Sequence, residues 1–329
     1  MSIAFLYEHP HWSDSLLGAF RDRQVDLTLI DVADLVFDTS TAPQFDVAIN
    51  RINIMPSVER DPRIAFQTLH YLNWLEIMGV YTVNGAMAHG IGASKVMQNG
   101  VFAHLGLRHP RGIAIYRIED ALTAAKQIGY PVIVKPNVGG SGAGIALYRC
   151  CEELDQAVRL RSVDLGVDRT GLVQEYIESD GYVYRVEMLG DQLFYSIRQK
   201  IQQGSFNYCA ADGCSTDLDV TMIDSSESDD RIIVDKNDQF DFCAIGAQDR
   251  IEAFAPPKDV VKAVSSVIEL SGADLGGVEY FVEKHSGAPC FYDFNPYSNF
   301  VSNGEQLLGF SPEHRYIDFV LDCIERKGC

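Results

Sequence analysis

Basic residues are scarce in this chain: 27 Lys and Arg stand against 46 Asp and Glu, a formal net charge of −19 over 329 residues. A field of that sign repels phosphate backbones and anionic membrane surfaces at long range, which argues against nucleic acid and membranes as partners. Any anionic ligand must be captured locally, inside a site. Long apolar runs are missing too. The opening MSIAFLYEHPH has no basic n-region, meets Glu8 after a short apolar stretch, and is followed by no uncharged apolar run of 18 residues, which points to a cytoplasmic protein. Eight cysteines include no C-x-x-C pair; reduced thiols are the simpler reading beside a zinc site through Cys209 and Cys214. There is no internal repeat, no low-complexity tract, no G-K-[ST] closing a P-loop, no G-x-S-x-G elbow and no obvious Cys-His nucleophile pairing. These absences count against solenoids, P-loop NTPases and covalent acyl-enzyme chemistry.

What is present is ordinary globular composition, 47% apolar and 22% charged, in enough chain for two to three domains. Short apolar runs at 2–7, 25–32, 45–52 and 80–84 alternate with helical patterns at 12–23 and 62–78. That alternation predicts a parallel sheet with crossover helices over 1–92. A second unit, 93–180, carries helix signals at 94–106, 119–128 and after Cys151. Its strand signals lie at 111–116, 130–136 and 144–149. From 181 to 329 long strand patterns dominate, with one late helix at 257–270 and two strands, GVEYFVE and PCFYDFN, joined by a turn. Within that third unit the stretch 212–252 holds twelve acidic against three basic residues. It reads as a solvated insertion, or alternatively as a lid that favours a neutral or cationic amine over an acidic one.

Three local patterns carry chemistry. In Y-P-V-I-V-K-P-N-V-G-G-S-G-A-G a buried β-run delivers Lys135 to a loop containing Gly139, Gly140, Ser141 and Gly142. Without Cβ atoms, such a loop brings backbone N–H groups close to phosphate oxygens. In D-F-N, Asp293 and Asn295 share one face of a strand, and Glu279 on the neighbouring strand can add a third oxygen. Hard oxygen ligands without His or Cys suit Mg²⁺ that also binds phosphates. In Q-E-Y-I-E, residues Gln174, Glu175, Tyr176, Ile177 and Glu178 form a strand exit whose backbone can meet the edge of a purine. Glu178 or Asp180 stands near the place of a ribose hydroxyl.

The order of these patterns resembles the ATP-grasp superfamily, and within it the carboxylate-amine ligases of the ribosomal-protein glutamate ligase and lysine-biosynthesis ligase type. The likeness extends over nearly the whole chain, including Asn50-Arg51 and Val83-Asn84. It implies an α/β and α+β architecture: a parallel N-terminal domain and two ATP-grasp subdomains holding ATP with Mg²⁺, two ions by the resemblance, for which Mn²⁺ can substitute. Lys95, in A-S-K-V, matches the family lysine at the α-phosphate, and Lys135 the one at the α/β-phosphates. Glu279, Asp293 and Asn295 match the metal triad, with Glu and Asp exchanged relative to the commoner order. Arg185 matches the arginine after the hinge, and Arg198 a basic residue near the γ-phosphate, with Lys200 as its competitor. Asn207 lies in a loop near the acyl-acceptor site, where Ala210-Ala211-Asp212-Gly213 departs from the basic turn of the glutamate ligases.

The resemblance implies a ligase that joins a small carboxylate and an amine through an acyl phosphate. An ATP-grasp kinase and a nucleotide-binding regulatory protein are the rival readings. Arg51, at a strand end, suits a substrate carboxylate, with His9 and His11 as further substrate candidates after the first strand. The pattern is compatible with a homo-oligomer.

Overall fold

The computed structural model describes residues 2–9, 11–53, 61, 63–140, 142–201, 251–297, 300–301 and 304–327. Ser141, Asn207, Cys209, Cys214 and all of the acidic stretch except Ile251 and Glu252 lie outside them. Among the described residues no helix is long and apolar enough to cross a membrane.

The first layer is a parallel sheet of β1 (Ile3–Tyr7), β2 (Thr28–Asp31), β3 (Val47–Asn50) and β4 (Tyr81–Val83), in the order β2-β1-β3-β4. Its inner strands are apolar at every position but Asn50, the last of β3, because both faces are covered. Ile3, Phe5, Val47 and Ile49 pack with Leu16 and Phe20 of α1 (Asp14–Asp22), while Ala4, Leu6 and Ala48 pack with Leu72 and Leu75 of α2 (Ile64–Ile77). Two short helices, α3 (Ala86–Ala93) and α4 (Lys95–His104), lead out of this layer.

The central unit is an antiparallel sheet of β5 (Gly112–Ile115), β6 (Val132–Pro136), β7 (Ala146–Tyr148) and β8 (Gly171–Glu175), in the order β5-β8-β6-β7. One face buries Val132, Val134 and Val173 against Ala121, Ala124 and Ala125 of α5 (Asp120–Ile128) and Leu154 of α6 (Cys151–Leu160).

The third unit orders β9 (Ser179–Leu189), β10 (Gln192–Lys200), β11 (Ile251–Ala253), β12 (Leu275–Glu283) and β13 (Pro289–Asn295) as β11-β10-β9-β12-β13, all antiparallel. Val186, Met188 and Val278 on one face bury Val260, Val264 and Val267 of α7 (Lys258–Leu270). Helices α8 (Gly304–Leu308) and α9 (Pro312–Lys327) follow.

Packing departs from the expected boundaries in two places. Phe102 of α4, expected with the central unit, sits in the core of the third sheet beside Val264, Phe291 and Phe294. Tyr316, Ile317, Val320 and Ile324 of α9, which carries no sequence expectation above, cover the N-terminal sheet next to Phe5 and Phe20, and Leu275 of β12 joins the same cluster. The N-terminal and C-terminal layers therefore share a cluster through Leu275 and α9, whereas the central unit has its own.

Candidate active site

Strand parity builds the site. Directly opposed residues of an antiparallel pair share a face, and β12 pairs Glu279 with Arg185 on one side and Asp293 on the other. The next row toward the strand start is Glu187, Gly277 and Asn295. All five side chains thus stand on the face opposite α7. An extra residue in β13 at Tyr292 is a bulge of the kind that re-aims a side chain, and the Tyr292 hydroxyl donates to Glu279 Oε2. Asn295 Oδ1 accepts the Tyr297 N–H at 2.9 Å.

Arg185 is shared between two carboxylates. Its Nε lies 2.5 Å from Glu187 Oε1 and its Nη1 3.3 Å from Glu279 Oε1. Burial works against its charge, but Glu187 and Glu279 outweigh that and hold its pKa above the usual arginine value. Glu279 is pushed up by burial, partly offset by Arg185, and Asp293 pushes it further.

From the central sheet, Lys135 and Gln174 point away from α5 and α6, on the face that also carries Ile133 and Leu147. Lys135 is only 7% exposed. Burial and the neighbouring Lys95 push its ammonium down to about 7, with Asp293 opposing. Lys95 itself donates to Asp293 Oδ1 and lies 3.4 Å from Gln98 Oε1. Two lysines thus converge on the acidic face of the third sheet across the gap between the two subdomains.

Two amides absent from the sequence expectations fix this convergence. Asn137 Oδ1 accepts from Ser94 Oγ and from the Val96 N–H, both at 3.0 Å, and its carbonyl accepts the Lys95 N–H at 3.1 Å. Gln98, fully buried, donates to the carbonyls of Gly92 at 2.8 Å and Phe294 at 2.9 Å, and accepts the Phe294 N–H at 3.2 Å. It therefore grips the strand between Asp293 and Asn295. The available signals are spacing: Asn137 is two residues after Lys135, and Gln98 one turn after Lys95.

Beyond Asn137 the glycine loop turns back on itself. Gly142 and Gly144 hold positive φ of 77° and 70°, a conformation that favours glycine. A Cβ on Gly144 would lie 2.7 Å from the Pro136 ring. Gly139 and Gly140 lead into this loop, and the Gly140 carbonyl accepts the Ala143 N–H at 3.0 Å.

At the strand exit Gln174 faces the cleft, but the Glu175 carboxylate does not: it pairs with Arg108 at 3.0 Å and accepts the Arg111 N–H at 3.1 Å. Its side chain is therefore engaged outside the cleft, whereas the expectation for Glu175 concerned its backbone. Tyr176 gives its N–H to Pro131 O at 3.4 Å, and Ile177 connects it to Glu178. The Glu178 carboxylate stands exposed 3.4 Å from Lys284 Nζ, a pair weak enough to be exchanged for another partner. Asp180 is engaged by the Tyr184 hydroxyl at 2.6 Å.

Arg198 and Lys200 require the clearest correction. Register pairs them with Tyr184 and Tyr182, on the face that packs toward α7 and opposite to Arg185. Arg198 lies over the Tyr182 ring at 4.8 Å and is bound to Glu252 at 2.6 Å. Neither side chain joins the charged cluster.

At the end of the parallel sheet, Arg51 lies against the rings of Phe300 and Tyr316, at 5.4 and 5.3 Å from their centroids. Its neighbour Asn50 donates to Tyr297 Oη at 2.6 Å and to Asn84 O at 3.0 Å. Asn84 in turn accepts the N–H groups of Asp274 and Leu275 and donates to Pro296 O. A polar chain thus runs from Asn295 through Tyr297 to Asn50 and the residue beside it, Arg51. His9 stacks on Trp12 at 4.4 Å, and His11, largely exposed, pairs with Asp14 at 3.2 Å. His11 therefore stands apart from the cluster.

Residues 95–189 match the family described as carbamoyl-phosphate synthase L chain, ATP binding domain. A D-alanine–D-alanine ligase of Halorhodospira halophila is 33% identical over 137 residues, 41% of this chain and 43% of that one. The glutamate–LysW ligase ArgX of Sulfurisphaera tokodaii is 28% identical over 179 residues, 53% of this chain and 59% of that one. These matches span about two-fifths to three-fifths of the relatives' lengths. In three dimensions, a RimK domain ATP-grasp protein from Sphaerobacter thermophilus superposes with a TM-score of 0.65 at 18% identity, covering 97% of this chain and 99% of the other. With the lysine pair and the acid-amide cluster set between two antiparallel sheets, these likenesses show that the chain has the ATP-grasp fold.

Proposed function

We propose that the protein is an ATP-dependent carboxylate-amine ligase that forms an amide bond through an acyl phosphate. The observation that carries the reading is the meeting of Lys95 and Lys135 with Glu279, Asp293 and Asn295 across one cleft. A carboxylate and an amine form a stable salt at neutral pH, so one carboxylate oxygen must first become part of a leaving group. In the proposed reaction it attacks the γ-phosphorus of ATP, the bridging P–O bond breaks and ADP departs. The amine lone pair then adds to the acyl carbon, and the tetrahedral oxyanion collapses with loss of inorganic phosphate and an amine proton.

The chain's part is positioning and charge neutralisation. Lys135 and Lys95 would hold the polyphosphate, the glycine loop would offer backbone N–H groups, and the face of Ile133 and Leu147 would receive the base. Glu279, Asp293 and Asn295 fit Mg²⁺ in donor chemistry: they are hard oxygens on adjacent strands, and the cations now beside the two carboxylates, Arg185 and Lys95, stand in for its charge. When bound there, Mg²⁺ would neutralise the phosphate oxygens. Arg185 suits the oxyanion of the acyl phosphate and Arg51 a substrate carboxylate. The D-alanine ligase relatives support a free amino acid as substrate, and the superposition with PsnB bound to a precursor peptide supports a peptide.

The test is to add hydroxylamine with ATP and a panel of amino acids and small acids. A hydroxamate accompanying ADP marks an acyl phosphate. ADP release without hydroxamate for every acid would replace this reading with phosphate transfer to a hydroxyl.

A further inference from the structure

Arg185 is held by two carboxylates of the cleft, yet its hydrogen bonds are incomplete. It is 8% exposed, and its buried Nη2 has no hydrogen-bond partner among the described residues. Its other nitrogens engage carboxylates of different kinds. Glu279 stands in the row with Asp293 and belongs to the proposed cation ligands. Glu187 stands one row away, 3% exposed, opposite Gly277.

Gly277 determines where that carboxylate lies: a Cβ there would fall 2.4 Å from Glu187 Oε1 and 2.6 Å from its Cδ. The missing side chain is thus the space the carboxylate fills, and Glu187 is held with its oxygen on Arg185 Nε.

We propose that Glu187 is a positioning residue that keeps Arg185 on the cleft face once a divalent cation claims Glu279. The inference rests on the ligase reading and extends it. Without the cation, Arg185 bridges Glu187 and Glu279. With it, the bond from Nη1 to Glu279 is given up while the bond from Nε to Glu187 persists. Nη1 and the unpartnered Nη2 then face the cleft together as a planar fork, the geometry that matches a carboxylate or an acyl-phosphate oxyanion. Cation binding and anion binding become coupled through a single guanidinium, and the coupling is reciprocal.

The test is Mn²⁺ binding by calorimetry on the nucleotide-free protein, with parent, Glu187→Gln, Glu187→Asp, Arg185→Gln and the Glu187→Gln/Arg185→Gln double variant. Arg185→Gln should tighten Mn²⁺ severalfold by removing the competitor for Glu279. Glu187→Gln should weaken it severalfold, since Arg185 then leans on Glu279 alone. In the Arg185→Gln background the same change should alter Mn²⁺ affinity less than twofold. Glu187→Asp keeps the charge but withdraws it from Nε, and should weaken Mn²⁺ as Glu187→Gln does.

Equal weakening in both backgrounds, parent-like behaviour of Glu187→Asp, or no Mn²⁺ binding by any variant would overturn the proposal. No turnover is needed for this measurement, so its failure is distinct from failure of the hydroxamate assay, which decides the ligase reading.

Discussion

Asn137 Oδ1 accepts the Val96 N–H at 3.0 Å, so a residue two positions after Lys135 caps the helix that begins at Lys95. One amide thereby sets the spacing of two cations that come from different units. Asn137→Ala should leave the Ser94 hydroxyl and the Val96 N–H without this partner, at a cost of about 1–3 kcal/mol. It should also raise the ATP requirement roughly tenfold by loosening the lysine pair. Thermal unfolding and ATP titration check both. An unchanged ATP requirement would mean that the lysines are positioned independently of Asn137.

Lys135→Met should raise the ATP requirement by about one to two orders of magnitude, because a charge-assisted contact in a closed site contributes about 1.5–3 kcal/mol. Lys126→Met, on the exposed side of α5, should change it by less than twofold. The depressed Lys135 value of about 7 adds a pH signature. Above pH 7 the free protein holds this amine increasingly neutral, and an arriving triphosphate favours its charged form. Binding at pH 8 should therefore take up a proton, and affinity should fall as pH rises. Calorimetry in two buffers of different ionisation enthalpy reads the uptake, which Lys135→Met should abolish.

Asp293→Ala and Asn295→Ala should each lower turnover roughly 10²-fold or more, since even groups behind metal ligands typically account for 10- to 100-fold. Both side chains are only partly buried at the cleft surface, so the unfolding midpoint should move little. Normal ADP formation by either variant at saturating Mg²⁺ would remove it from the ligand set.

His89 gives the fold an acid limit. Burial pushes it down to about 4, with Nε2 donating to Ala65 O at 2.9 Å. Its folded value lies below the unfolded 6.5, so between those values the unfolded chain binds more protons and stability is lost as pH falls. The loss approaches about 3 kcal/mol near pH 4, at 1.36 kcal/mol per unit. Urea midpoints at pH 7 and pH 5 should separate in the parent and converge in His89→Gln, whatever the variant's absolute stability.

The grouping of charged side chains is legible in the sequence to the extent that it depends on local periodicity. Asp293 and Asn295 share a face because strand side chains alternate, and Lys135 meets the glycine loop because a strand ends there. Arg198 and Lys200 are misjudged for the complementary reason: their face is set by pairing with β9, and a shift of one residue reverses it. Helix α3, AMAHGIGA, lacks the polar stripe by which a surface helix announces itself, having five of its eight residues buried. Asn137, Gln98 and Asn84 reach across 41, 196 and 190 residues, separations at which one sequence offers no pairing signal. Phe102 and α9 join distant cores for the same reason.

That sharing of apolar clusters bears on which part of the protein can move. The N-terminal layer and the third sheet are joined by Leu275, Phe5 and α9 in one apolar cluster, so sliding them apart would open it. The central unit has a separate core. Its ties to the block include Asn137 at the start of α4 and Arg108, which holds Glu175 at 3.0 Å and Glu283 at 2.8 Å. A central unit that turned about those ties would carry the β6–β7 hairpin with it while Asn137 stayed at the start of α4. If the central unit closes on nucleotide, amide exchange in that hairpin should slow on binding a non-hydrolysable ATP analogue while β1 and β3 stay unchanged, the charge pair of Lys95 and Asp293 being already in place.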